Sequence, residues 1–224
     1  MSIPKIPGVE FIDNTNQRTP CVLLLDASGS MSGEPIAQLN AGLEIFAQEL
    51  KNDELAALRV QVMVIAVGGY DDVQILQPWT DAVDFQPPVI KADGMTPLGK
   101  GMNVALDEVR NQKAVYDANG ISSTRPWIIM ISDGRPNDYD WENAAARCRQ
   151  EEADKRVVVF PIGTEGADFT ALGQFSAKSP KKLKGLQFRE LFIWLSRSMS
   201  TVSASVPGDR ISLPSTDSWA TVEI

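Results

Sequence analysis

A run of five apolar residues that stops at an aspartate constrains this chain more than any other feature. The run occupies residues 21–25, and the segment DASGSMSG at 26–33 leads from it into a helical pattern. Apolar residues without alternation are typical of a strand that is buried on both faces of a parallel sheet. The sequence therefore predicts a strand, a tight turn and the start of a helix.

The side chains that follow this strand predict a cation site. Side chains at the carboxyl end of such a strand point into the crevice where open α/β sheets bind their ligands. Asp26, Ser28 and Ser30 are spaced two residues apart, so all three can face one point there. Carboxylate and hydroxyl oxygens, without thiol or imidazole, suit a hard divalent cation such as Mg²⁺, Mn²⁺ or Ca²⁺. The alternative is an N-cap serine beside surface turn aspartates.

A strand end that carries D-x-S-x-S resembles the metal-ion-dependent adhesion site of von Willebrand factor A domains. In that family a second loop supplies a threonine, and a third supplies an aspartate after a buried strand. The segment DGMTPLG at 93–99 matches the second loop at Thr96, and WIIMISDG at 127–134 matches the third at Asp133. The resemblance implies one metal ion bound through Asp26, Ser28, Ser30, Thr96 and Asp133.

The same resemblance implies a function. Because the direct ligands in the family are neutral hydroxyls, the cation stays electron-poor and takes a carboxylate from a protein partner. This describes a non-enzymatic, metal-dependent protein-interaction module. One alternative is a magnesium-dependent phosphohydrolase of the haloacid dehalogenase type, but its second aspartate is replaced by Ser28. A scaffold with a purely structural metal site is a third alternative.

The rest of the chain predicts an α/β fold, with a doubly wound, mostly parallel sheet and helices on both faces. Apolar residues recur every three or four positions at 34–50, 98–109 and 188–199, which predicts helices. A strand at 73–77 follows the strand at 58–67 after a short turn, so the two must be antiparallel. The von Willebrand factor A fold, which is Rossmann-like, has an antiparallel edge strand at this place.

We divide the chain into an N-terminal arm with a short edge strand (1–19), a von Willebrand factor A domain (20–200) and a C-terminal tail (201–224). Ser, Thr and Pro are frequent in the tail, which is typical of disorder. Within it, residues 210–213 can form a strand. Trp219 is costly to expose, so we expect it either to rest on the domain or to dock a partner.

Composition excludes several classes of function. The chain has no histidine, which excludes His-based triads and zinc sites built on imidazole. Its net charge of −8 repels nucleic acids and anionic membranes, so neither is an expected partner. The one basic patch, at 178–184, is predicted to be a solvated loop. No signal peptide or membrane-spanning stretch is evident, and we expect a cytoplasmic location.

A narrower resemblance rests on the amino-acid sequences of four short segments, at 9–11, 125–127, 188–196 and 213–214. They look like bacterial tellurium-resistance TerY-type proteins, which are intracellular von Willebrand factor A proteins. Those proteins belong to stress-response systems that often include a protein kinase and a phosphatase. The resemblance implies a role in a tellurite or stress response, with a kinase or phosphatase of the same system as the partner.

Overall fold

A seven-stranded sheet forms the centre of the computed structural model, which describes residues 14–69, 72–206 and 209–221. Its strands are β1 (Thr19–Asp26), β2 (Val60–Val67), β3 (Val73–Asp81), β4 (Trp127–Ser132), β5 (Val158–Gly163), β6 (Lys181–Leu183) and β7 (Ala220–Thr221). They lie in the order β3-β2-β1-β4-β5-β6-β7. The central strand β1 is buried over its whole length, as its unbroken apolar run predicts.

The strand directions confirm the predicted fold class. Strands β1, β2, β4, β5 and β6 pair in parallel, whereas β3 pairs antiparallel to β2 at one edge. A second antiparallel pair, β6 with β7, lies at the other edge and was not predicted. The predicted strand at 210–213 is wrong, because those residues form no regular structure. Residues 220–221 occupy the sheet edge instead, where the backbone N–H of Lys184 donates to the carbonyl of Trp219 (2.8 Å).

Helices cover both faces of the sheet, as predicted. They are α1 (Glu34–Asn52), α2 (Glu54–Arg59), α3 (Leu98–Ala118), α4 (Trp141–Ala153), α5 (Phe169–Leu172) and α6 (Phe188–Ala204). Helices α1 and α6 pack with Leu23 on one face, and α3 and α4 pack with Leu24 on the other. None of the helices within the described ranges is both long and apolar enough to cross a membrane.

The structure tests the expectations for the basic patch at 178–184 and for Trp219, but not the one for the N-terminal arm. The basic patch is not wholly a solvated loop, because Lys181 and Lys182 belong to β6 and are only partly exposed. Trp219 rests on the domain: it is 1% exposed and its ring centroid lies 5.2 Å from that of Trp194. The edge strand predicted at 9–12 lies outside the described residues.

Candidate metal site

The end of β1 places Asp26 at the bottom of the crevice. The Asp26 side chain is fully buried. Its Oδ1 accepts a hydrogen bond from the backbone N–H of Ser28 (2.9 Å), and its Oδ2 accepts one from the Ser132 hydroxyl. Because Ser132 is the last residue of β4, these bonds fix the carboxylate between the ends of two neighbouring parallel strands.

Hydroxyl groups link this buried carboxylate to a second one nearer the surface. The Oγ atoms of Ser28 and Ser30 lie 3.1 Å apart, and Ser30 Oγ donates to Asp133 Oδ1 (2.9 Å). Ser28 is 2% exposed, whereas Ser30 is exposed to solvent. Four of the five predicted residues thus form one hydrogen-bonded chain from the interior to the surface.

Main-chain hydrogen bonds draw the second predicted loop against the first. The backbone N–H of Asp93 donates to the carbonyl of Ala27 (2.8 Å), and that of Gly29 donates to the carbonyl of Gly94 (3.1 Å). Gly94 has a φ of 74°, and a β-carbon there would lie 2.7 Å from the carbonyl oxygen of Gly69. Only glycine fits this position without displacing the neighbouring loop.

This loop holds Thr96 beside the third predicted loop. Thr96 is 7% exposed, and its carbonyl accepts a hydrogen bond from the backbone N–H of Asn137 (3.2 Å). A β-carbon added at Gly134 would lie 3.5 Å from Thr96 Oγ1, so the threonine hydroxyl lies next to the residue after Asp133. The structure therefore brings all three predicted loops together, and we call Asp26, Ser28, Ser30, Thr96 and Asp133 the hydroxyl–carboxylate cluster.

Two residues that support the cluster were missed from the sequence. Ser132 donates to Asp26 and accepts from the backbone N–H of Gly134 (3.1 Å). Its signal was a lone hydroxyl in an otherwise apolar strand. Asp138, in the polar segment after Asp133, accepts from the backbone N–H of Lys100 (2.8 Å) in the first turn of α3. It thus joins the third loop to the helix that follows the second.

The electrostatics of the cluster favour a cation. Burial raises the pKa of the Asp26 carboxyl, hydrogen bonds from Ser132 and Ser28 lower it, and the charge of Asp133 raises it; the pKa is raised overall. Among the described residues, no lysine or arginine forms an ion pair with either aspartate. Within the described ranges, these two neighbouring carboxylates therefore have no ion-pair partner.

The donor set fits a hard divalent cation, because all its side-chain donors are carboxylate or hydroxyl oxygens. Within the part of the chain that the structure describes, no three Cys, Asp or Glu side chains form a group that could hold a metal ion. The cluster instead combines two carboxylates with serine and threonine hydroxyls.

Comparisons with known proteins support the fold. The family model described as von Willebrand factor type A domain matches residues 21–189. No curated protein matches this chain in sequence. The pilus adhesin SpaC from Lactobacillus rhamnosus GG has a similar structure, with a TM-score of 0.62 and 14% identity over 84% of this chain and 32% of that chain. A von Willebrand factor type A structure from Catenulispora acidiphila has a TM-score of 0.57 and 16% identity over 83% of this chain and 43% of that chain.

A third similar structure contains a metal. Proximal thread matrix protein 1 from the mussel byssus, with a zinc-occupied MIDAS motif, has a TM-score of 0.55 and 16% identity over 84% of this chain and 49% of that chain. This chain spans half or less of the length of these solved chains. At such identities the likeness shows the fold alone.

Proposed function

This chain belongs to the von Willebrand factor type A family, a family of protein-interaction modules, and on that premise we propose that it holds a protein partner through a divalent metal ion. The ion binds at the hydroxyl–carboxylate cluster, which is a metal-ion-dependent adhesion site. The observation that carries this proposal is the hydrogen-bonded chain from Asp26 to Asp133, whose two carboxylates have no cationic partner among the described residues.

The ligand types predict what the ion does. Ser28 and Ser30 contact the ion directly and Thr96 does so directly or through water, and all three are neutral. Asp26 and Asp133 hold the ion mostly through water, so most of its charge is left for a ligand at the open coordination position. Such a cation attracts an anionic oxygen, and a carboxylate of a protein partner supplies one. We propose Mg²⁺ as the resident ion, with Mn²⁺ and Ca²⁺ as substitutes that have the same preference for oxygen.

Exposed apolar side chains on the same loops favour a protein as the ligand. Met95, next to Thr96, is 63% exposed, and Tyr139, on the loop after Asp133, is fully exposed. Large apolar side chains around a polar centre are typical of protein interfaces, where they exclude water from the central contact. We expect the partner to cover both side chains when its carboxylate reaches the metal.

We also propose that the partner is a kinase or phosphatase of a bacterial tellurite or stress-response system, in the cytoplasm. The support is the sequence at 188–196, which resembles that of TerY-type proteins and forms the first half of α6. Pull-downs with Mg²⁺ and with chelator test this, because only a metal-dependent partner of that class fits the proposal. A partner retained equally in both conditions contradicts it.

We propose that the chain is not an enzyme. The phosphohydrolase alternative needs a general acid at position 28, where the buried hydroxyl of Ser28 instead lies beside Ser30. A phosphoester hydrolysis assay should therefore detect no turnover with Mg²⁺. Turnover that requires Mg²⁺ and disappears in Asp26→Asn would reverse this proposal.

Metal binding is tested by calorimetry with Mg²⁺ and Mn²⁺. The wild-type chain should bind one ion, and Asp26→Ala should bind none. Asp140→Ala is the matched control, because it removes an exposed carboxylate after the same third loop and should leave binding unchanged. Circular dichroism checks that all three proteins fold. Equal metal binding by wild type and Asp26→Ala would contradict the site.

A further inference from the structure

A cleft opens at the end of the sheet opposite the hydroxyl–carboxylate cluster. It lies between α3 and α4, at the segments that enter β4 and β5, and its volume is about 680 Å³. Its apolar lining includes the exposed Ala114, together with Leu106, Val109 and Val157, which are only 1–4% exposed. Cavities of roughly 300–1,000 Å³ are typical of sites for small molecules.

The side chains around this cleft are mostly cationic, against the charge of the chain as a whole. Two carboxylates, Asp117 and Glu151, line it beside five cations, which is a local balance of +3 in a chain of net charge −8. A concentration of one charge around a concave surface raises the local concentration of ligands of the opposite charge. The five cations are Arg110, Lys113, Arg125, Lys155 and Arg156.

Two of these cations are free to contact a ligand. Arg110 and Arg156 form ion pairs with carboxylates of the chain itself, and Lys113 Nζ donates to Ser123 Oγ (2.6 Å). Arg125 and Lys155 are exposed, and among the described residues neither forms an ion pair. Their charges are therefore available to an anion in the cleft.

Two further features distinguish the cleft from an ordinary charged surface. Thr124 lines it and is 5% exposed, yet its hydroxyl has no hydrogen-bond partner in the described part of the chain. A buried hydroxyl without a partner is uncommon, because it loses its bonds to water. Lys155 has a φ of 59°, a left-handed conformation that glycine or asparagine adopts at lower cost than lysine.

We propose that this cleft binds a small organic phosphate. The phosphate contacts Arg125 and Lys155. The apolar part of the molecule lies on the exposed Ala114 and on the alkyl chains of Arg110 and Lys113. A compact anion fits better than a nucleic acid, because none of the described residues lining the cleft is aromatic and the overall charge repels a long polyanion. An extended acidic peptide fits less well, since the cations surround one cavity instead of following a line along the surface.

The experiment is an NMR titration of the full chain with phenyl phosphate, inorganic phosphate and phenol. Chelator is present throughout, so that no phosphate can bind through a metal at the cluster. We expect saturable shift changes at residues 106–113, 123–126 and 155–157, with phenyl phosphate binding more tightly than either of the other two probes. Binding of phenyl phosphate no tighter than that of inorganic phosphate would overturn the proposal, as would shifts without saturation.

The variants compare the cleft with an equal change of charge elsewhere. Arg125→Glu with Lys155→Glu should weaken phenyl phosphate binding at least about tenfold, since two charge-assisted contacts are lost. Lys51→Glu with Arg189→Glu makes the same change on exposed helical positions and should leave binding unchanged. Equal weakening by both pairs would mean that only the overall charge matters, and would overturn the assignment of the site. Arg125→Gln with Lys155→Gln gives the same test where charge reversal unfolds the chain.

Discussion

Among the described residues, the two ends of the central sheet carry unpaired charges of opposite sign. At the carboxyl ends of β1 and β4, Asp26 and Asp133 lie close together without a cationic partner in the described structure. At the amino ends of β4 and β5, Arg125 and Lys155 border a cleft and lack anionic partners among the same residues. The net charge of −8 conceals this difference. One end therefore requires a cation before it can attract an acidic partner, whereas the other attracts an anion directly.

The length of the sheet separates the two ends electrostatically. Strand β4 connects them and has six residues, which span roughly 20 Å at about 3.3 Å per residue. The Debye length at physiological ionic strength is about 8 Å, so charges at one end are largely screened from the other. Substitutions at the two ends should therefore have additive effects, because the residues share no contacts.

The largest expected effect concerns the proposed partner. Chelator, Ser28→Ala with Ser30→Ala, and neutralisation of one acidic residue of the partner should each weaken binding by about 2 to 5 kcal/mol, or roughly thirtyfold to several thousandfold. Their effects should not add, because all three remove the same bond from the partner to the metal. Surface plasmon resonance on the single and combined changes measures this.

The cleft supplies the control for that experiment. Arg125→Glu with Lys155→Glu should leave metal-dependent partner binding unchanged. Additive losses from chelator and from neutralising the acidic residue would instead show that the metal site is structural and that the interface lies elsewhere.

The next effect is on stability in the presence of metal. A ligand at one hundred times its Kd stabilises the folded state by about 2.7 kcal/mol. Wild type should show this gain in urea unfolding with Mg²⁺, and Asp133→Asn should lose most of it. In chelator the variant should be as stable as wild type or slightly more stable, because the charge of Asp133 disfavours that of Asp26. An unchanged gain in the variant would exclude Asp133 as a ligand.

A third prediction concerns α3, which runs from the cluster to the cleft. A β-carbon at Gly101 would lie 2.2 Å from Val67 Cγ1 and 2.9 Å from Leu24 Cδ1. Gly101→Ala should therefore destabilise the fold by about 1 to 3 kcal/mol through overpacking. Because the helix must move as a unit, ligands should bind more weakly at both ends. The control is Gly173→Ala, whose nearest contact would be 3.6 Å; equal stabilities of the two variants in urea would contradict the prediction.

The sequence predicted those features that depend on residues close together in the chain. The apolar run before Asp26 and the helical periods act within one element, so β1 and the main helices were predictable. Thr96 and Asp133 could be predicted as metal ligands because each lies in a recognisable short segment. Ser132 carried too weak a signal, since a serine at a strand end is common. The predicted strand at 210–213 was wrong because pairing depends on which segment reaches the edge of β6, and sequence alternation does not contain that information.

The cationic cleft was not predictable for a related reason. Its lining comes from α3, from the segment before β4 and from the end of α4, so no short motif contains it. In the sequence, residues 125–127 contributed only to the resemblance to TerY-type proteins. Folding alone brings Arg125 and Lys155 to the same cavity.

The smallest expected effect lies at the cleft and complements the one at the cluster. Lys155→Gly should raise stability by about 0.5 to 1 kcal/mol, because glycine adopts a φ of 59° without steric cost. It should also weaken phenyl phosphate binding, since one of the two proposed contacts to the phosphate is lost. Asp154→Gly, at a neighbouring residue with a φ of −74°, is the control and should lower stability. Urea unfolding and NMR titration of both variants measure the two effects. If Lys155→Gly raises stability and leaves binding intact, the left-handed lysine has no part in holding an anion. The cleft would then show no trade-off between stability and binding. The opposite end of the sheet is predicted to show one, because Asp133→Asn should lose metal binding without losing stability in chelator.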